Sequence, residues 1–276
     1  MSPATSTPAI IRARDGESLA LRHWLPTGEA RASLLIIPGL AEHGGRYERA
    51  AGILAASGLD TWALDLRGFG ASGGRRAYVE RLDVWLDDIA DRITALRALG
   101  RPVVLFGHSI GGLVVARYAQ TNRPQPDLLV LSAPAVAGNI PAWKQALARI
   151  LGRVAPTIAV KNGLDGSILS RDPAVGIDYV KDPLNVHSTT TRLGAILLEA
   201  QAPTIAGIGL INVPTLLIHG GQDHLVPTAS SEVFASNPAI ERRVYPGLAH
   251  ETSNEPEGPQ VIADVAAWIL AHLSGH

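Results

Sequence analysis

The chain has 276 residues, enough for one large α/β domain or two small ones with a sizeable buried core. Hydrophobic residues at 46% and charged residues at 18% exclude a disordered chain, and a formal net charge of −1 gives no global electrostatic case for nucleic acid or an acidic membrane. With no cysteine, disulfides, thiolate catalysis and cysteine-ligated metals are excluded.

The opening Met1–Pro8 has neither a basic region nor an apolar run, so no secretory signal is expected. No stretch is apolar and long enough to span a bilayer, so a cytoplasmic chain with at most peripheral membrane contact is expected. Ile10–Arg14 and Ser18–Trp24 flank Asp15-Gly16, a hairpin signal. Ser33–Ile37 is a continuous apolar run, as in a strand buried on both faces. A helix is predicted over Tyr47–Ala56, ending at Gly58, then a strand over Thr61–Leu66 and a helix over Leu82–Leu99, closed by Gly100. Strands follow at Val103–Phe106 and Leu128–Leu131. The alternation breaks between about Pro134 and Pro203. It resumes with a strand over Thr215–Ile218, a helix near Ser230–Ala235, a strand over Arg242–Tyr245 and a helix over Pro259–Leu273.

Strands alternating with helices predict a mostly parallel sheet of about eight strands, flanked by helices. Both sides of the break are needed to complete that sheet. The expectation is one domain over residues 1–276, with an inserted helical cap at about 135–205.

The strand at Val103–Phe106 runs into Gly107-His108-Ser109-Ile110-Gly111, a G-x-S-x-G turn, and then a helical stretch. Strand, sharp turn and helix hold a serine in a strained backbone with its hydroxyl presented at a sheet end. A serine hydroxyl is a poor nucleophile until a base takes its proton. Of nine histidines, His250 is the best candidate, on a Pro/Gly loop between the last strand and the last helix. Asp223, beyond the end of the Thr215–Ile218 strand, is the candidate carboxylate that orients it. The order Ser109, Asp223, His250 is the α/β-hydrolase order. An oxyanion would be held by the backbone amides of Ile110 and of Leu40, in the loop after Ser33–Ile37. No cofactor or metal is called for.

In the insertion, Asn139 is a candidate helix cap and Pro141 fits the first turn. Ile140, Trp143, Leu147, Ile150, Leu151 and Val154 then recur on one helical stripe, with Lys144, Arg149 and Arg153 off it. Such a helix rests on a lipid surface, roofs an acyl tunnel, or packs onto the domain. Trp143 and His187 of the insertion are candidate substrate contacts, as is Glu42, four residues before Arg46 at ion-pair spacing; His187 reads also as a surface histidine and the Glu42–Arg46 pair equally as a solvated helix face. His43 and His108 read as structural and His219 as a strand-end histidine.

Three stretches carry a resemblance over nearly the whole chain. They are Pro38-Gly39-Leu40-Ala41-Glu42-His43-Gly44-Gly45-Arg46-Tyr47, Asp65-Leu66-Arg67-Gly68-Phe69-Gly70-Ala71-Ser72-Gly73-Gly74 and Gly107-His108-Ser109-Ile110-Gly111-Gly112. With them the chain resembles the monoacylglycerol lipase branch of the α/β-hydrolase superfamily, close to the serine aminopeptidase S33 and lysophospholipase-like groups. Leu169–Pro173 and Asp182-Pro183-Leu184 look like that family's cap. The resemblance implies cofactor-free ester hydrolysis of a single-chain glycerolipid through an acyl-enzyme. It also implies that the Glu42–Arg46 pair braces the oxyanion loop near a polar head-group pocket. Pro38 stands where the family has histidine, and Ile110 where it has methionine. The rival expectations are a lysophospholipase or broad carboxylesterase and, from another class, a non-catalytic ligand-binding protein on the same fold.

Overall fold

The computed structural model describes residues 5–138 and 140–273. β1 (Thr7–Arg12) and β2 (Ser18–Trp24) form an antiparallel hairpin, turning through Gly16 at φ 87°. β3 (Ala32–Ile37), α1 (Glu48–Ala56), β4 (Leu59–Leu64), α2 (Leu82–Arg97), β5 (Val103–His108), α3 (Ile110–Ala119) and β6 (Leu128–Ser132) follow. Next comes an inserted segment of α4 (Ala142–Val154), β7 (Ala159–Lys161), α5 (Pro173–Lys181), β8 (Ser188–Thr190) and α6 (Thr191–Ala206). β9 (Thr215–Gly220), β10 (Ile240–Tyr245) and α7 (Gly258–Leu273) complete the chain.

The eight-stranded sheet has the order β1-β2-β4-β3-β5-β6-β9-β10, antiparallel at β1–β2 and β2–β4 and parallel from β4 onward. β3, β5, β6 and β9 are buried along their whole length, which is why they read as unbroken apolar runs. Alternate side chains feed two cores. Leu35, Ile37 and Leu105 pack under α2, α3 and α6, while Leu34, Ile36 and Phe106 pack under α1 and α7.

β4 ends at Leu64, two residues before the predicted end. Asp65 leaves the strand because its carboxylate accepts the amides of Gly44 at 2.7 Å and Ala71 at 2.8 Å, joining two loops at the sheet end. The helix predicted near Ser230–Ala235 is instead 3₁₀ over Thr228–Ser236. There the Ser231 hydroxyl donates to the Thr228 carbonyl, as does Arg242 from β10, which favours the tighter turn. The candidate cap Asn139 lies outside the described residues, and α4 starts after Pro141.

The inserted segment is tied to the sheet end from both sides. His43 bonds Asp182 at 2.8 Å and the Val186 amide donates to the Ala41 carbonyl at 2.9 Å. The Glu251 amide donates to the Leu169 carbonyl at 2.8 Å, and Arg171 pairs with the buried Glu255. No helix among the described residues is long and apolar enough to cross a membrane.

Candidate active site

β5 delivers Ser109 to the sheet end at φ 53° and ψ −116°, immediately before α3. Only glycine allows this crossing of strand and helix. A Cβ on Gly107 would lie 2.4 Å from the Gly111 carbonyl oxygen, and one on Gly111 would lie 2.2 Å from that of Ile37. The G-x-S-x-G spacing is therefore a packing requirement that also puts Ser109 against the loop after β3. A Cβ on Gly39 of that loop would come within 3.3 Å of the Ser109 Cβ.

β9 and β10 bring the other two residues. His250 is buried, and its Nδ1 lies 2.7 Å from Asp223 Oδ2. Burial pushes the Asp223 carboxyl up, but hydrogen bonds from His219 and His250 outweigh it, and the group sits far below the usual carboxylate range. Asp223 is thus ionised, Nδ1 of His250 donates to it, and Nε2 keeps a lone pair for a proton. Asp223 Oδ1 accepts the amides of Leu225 and Val226, both at 2.8 Å. His108 packs its ring 4.8 Å from that of His250, and burial, then the neighbouring His250, pushes it well below the usual histidine value. It flanks His250 as a neutral wall.

Ser109 and His250 line one cavity of about 350 Å³, with Leu40 and Ile110 beside them. Neither the Leu40 nor the Ile110 amide donates to another group among the described residues. The Gly39 amide, by contrast, is taken by Glu42 Oε1 at 2.5 Å, which also accepts the Tyr47 hydroxyl at 2.7 Å. Arg46 contacts Glu42 at 3.0 Å and grips both oxygens of Glu251 at 2.7 and 2.6 Å. Burial, offset in part by Arg46, raises the Glu42 carboxyl above its ordinary value.

A sequence profile of the serine aminopeptidase S33 family matches residues 28–257, most of the chain. The chain belongs to that family, in the monoacylglycerol lipase branch of the α/β-hydrolases. It is 36% identical to a monoacylglycerol lipase of Mycolicibacterium smegmatis over 91% of this chain and 92% of that protein. It is 29% identical to a Homo sapiens monoglyceride lipase over 97% and 91% of the two chains. Among solved structures, the Paleococcus ferrophilus monoacylglycerol lipase superposes with a TM-score of 0.81 at 28% identity, covering 97% of this chain and 99% of that one.

The S33 framework brings Ser109, His250, Leu40, Ile110 and Glu42 to one cavity, with Asp223 bonded to His250 behind it. It does not bring Trp143 or His187 there. α4 lays Gly152 against α6, where a Cβ would lie 2.5 Å from that of Ala195, and this turns Trp143 to solvent at 65% exposure. His187 is exposed and meets Tyr179 edge-on at 5.6 Å, and Tyr179 is the residue that lines the cavity. From the insertion the lining takes Ile140, Leu164, Leu169 and Gln201 besides.

Sequence reasoning missed two polar residues. Glu251 had one signal, adjacency to His250. His219 stands four residues before Asp223 but, as the last buried side chain of an apolar strand, reads as packing.

Proposed function

We propose that the chain hydrolyses monoacylglycerols to glycerol and a free fatty acid. The carrying observation is the Ser109, His250 and Asp223 array on a cavity whose wall is mostly apolar and whose polar lining includes Glu42 and Glu251, which Arg46 joins from behind. Ser109 Oγ attacks the ester carbonyl while His250 Nε2 takes its proton. The oxyanion sits between the amides of Leu40 and Ile110, an arrangement in which one donor is worth about 3–4 kcal/mol. Collapse expels glycerol, which leaves with the proton from His250. Water then attacks the acyl-enzyme by the same route, releasing the fatty acid and restoring the serine.

The inserted segment acts as a cap. Ile140, Leu164 and Leu169 receive the acyl chain, each buried methylene gaining about 0.8 kcal/mol. These two carboxylates, served by one guanidinium, suit glycerol hydroxyls and disfavour a phosphodiester, which speaks against a lysophospholipase. Trp143, Leu147, Ile150 and Val154 form an exposed apolar face on α4, with Ile150 at 58% and Val154 at 73%, and that face rests on a lipid surface.

The test is initial rates on monoacylglycerols of increasing chain length, with a lysophosphatidylcholine, a diacylglycerol and a short soluble ester alongside and Ser109→Ala as blank. Fast Ser109-dependent cleavage confined to monoacylglycerols is expected. Equal rates on the short ester would make the chain a broad carboxylesterase. No rate on any ester, and no labelling of Ser109 by a fluorophosphonate, would leave a non-catalytic binding protein.

A further inference from the structure

His219 is a buried titratable group beside Asp223 that the scheme above leaves unused. It is the last residue but for Gly220 on β9 and has no exposed surface. Its Nε2 lies 3.1 Å from Asp223 Oδ2 and 3.1 Å from the Val226 carbonyl oxygen. Both neighbours only accept, so the network assigns the ring proton to Nε2. The Nδ1 atom is buried with no hydrogen-bond partner among the described residues. A buried imidazole with one nitrogen unsatisfied is costly to keep for packing alone. Asp223 Oδ2 also receives the Nδ1 proton of His250, so two rings converge on one oxygen.

We propose that His219 is a positioning residue for ester cleavage: its Nε2–H holds the Asp223 carboxylate in the orientation that meets His250 and draws charge from the oxygen His250 uses. This rests on the hydrolase reading above. Holding the carboxylate keeps the His250 ring in place on the cavity it shares with Ser109. Drawing charge from Oδ2 weakens the support Asp223 gives to an imidazolium, so the acid limb of kcat/KM lies at lower pH than it would without His219. The other titratable groups around this cluster are His108 at the end of β5, His224 and Glu251 next to Asp223 and His250, Glu255, which accepts the Ala249 amide beside His250, and Glu42 with Arg46 from the loop after β3. None of them bonds Asp223 among the described residues, so none replaces the donor that His219 supplies.

The test compares His219→Gln, His219→Asn and His219→Leu. A glutamine amide nitrogen is as many bonds from Cα as Nε2 and can donate to Asp223, whereas an asparagine amide stops short. The expected result is that His219→Gln keeps the wild-type acid limb and kcat within about twofold. His219→Leu and His219→Asn should lose about tenfold in kcat and move the limb up by about half a pH unit. The low-field proton resonance of His250 Nδ1–H supplies a reading that needs no substrate. Its titration midpoint should rise in the leucine and asparagine variants and stay in the glutamine variant. If the leucine variant does not fold, glutamine against asparagine decides. Unchanged limb and midpoint in His219→Leu or His219→Asn, or glutamine behaving as leucine and asparagine do, would overturn the proposal. A wild-type chain with no ester cleavage would instead sink the hydrolase reading, while the resonance still reports on His219.

Discussion

Ser109 holds its hydroxyl toward the cavity through a backbone conformation, φ 53° and ψ −116°, that disfavours every residue with a Cβ. The strain persists because the amide of Ser109 donates to Ser132 at 2.8 Å and its carbonyl accepts from Leu113 and Ala135, both at 3.0 Å, so the surrounding bonds fix the angle. Alanine and glycine both remove the nucleophile, but alanine keeps the Cβ and glycine does not. Ser109→Gly should therefore be more stable than Ser109→Ala by about 1 kcal/mol, even though glycine adds entropy to the unfolded chain. Urea unfolding of the two inactive variants checks this. Equal midpoints would mean that the elbow stores no strain.

Elements were legible where one property decided them. β3, β5 and β9 announced themselves as apolar runs, and the order of Ser109, Asp223 and His250 along the chain was readable because each follows a strand of the parallel sheet. The helical period found the stripe on α4 but not what lies against it, since a period defines a face and leaves its neighbour open. Gly152 meets α6, with Leu151 of the stripe half-buried beside it, and that contact turns Trp143, Leu147, Ile150 and Val154 outward. The consequence is testable on the helix itself. Because Leu147 and Ile150 are exposed, Leu147→Ser with Ile150→Ser should leave the melting temperature within about 2 °C of wild type. The same pair should weaken binding to phospholipid vesicles about tenfold, as the loss of two apolar anchors predicts. A sedimentation assay reads the binding. A large drop in melting temperature would instead return the stripe to a packing role.

At the scale of the molecule, Arg46 joins segments that the sequence keeps far apart. Its guanidinium contacts Glu42 on the loop that carries Leu40 and grips Glu251 beside His250, and it lies 4.8 Å from the ring of Tyr179 in the inserted segment. Such a junction was invisible in the sequence beyond the Glu42–Arg46 spacing, because its other partners are fixed by the way the sheet and insertion fold together. Arg46→Met leaves two buried carboxylates without their cation, which should cost about 3–5 kcal/mol at neutral pH. The sign of its pH dependence follows from Glu42. Burial already holds that carboxyl above its ordinary 4.5, and Arg46 is the largest influence pulling it back down. Without Arg46 the folded chain binds the Glu42 proton more tightly still than the unfolded chain does. The stability of the variant is then fully present below about pH 4.5 and falls as pH rises through the folded pKa. Urea unfolding of wild type and Arg46→Met at pH 4.5 and pH 7.5 reads the difference. The gap between them should widen toward pH 7.5, and a gap that is constant or widest in acid would show that Arg46 stabilises the site through packing on Tyr179 and not through charge.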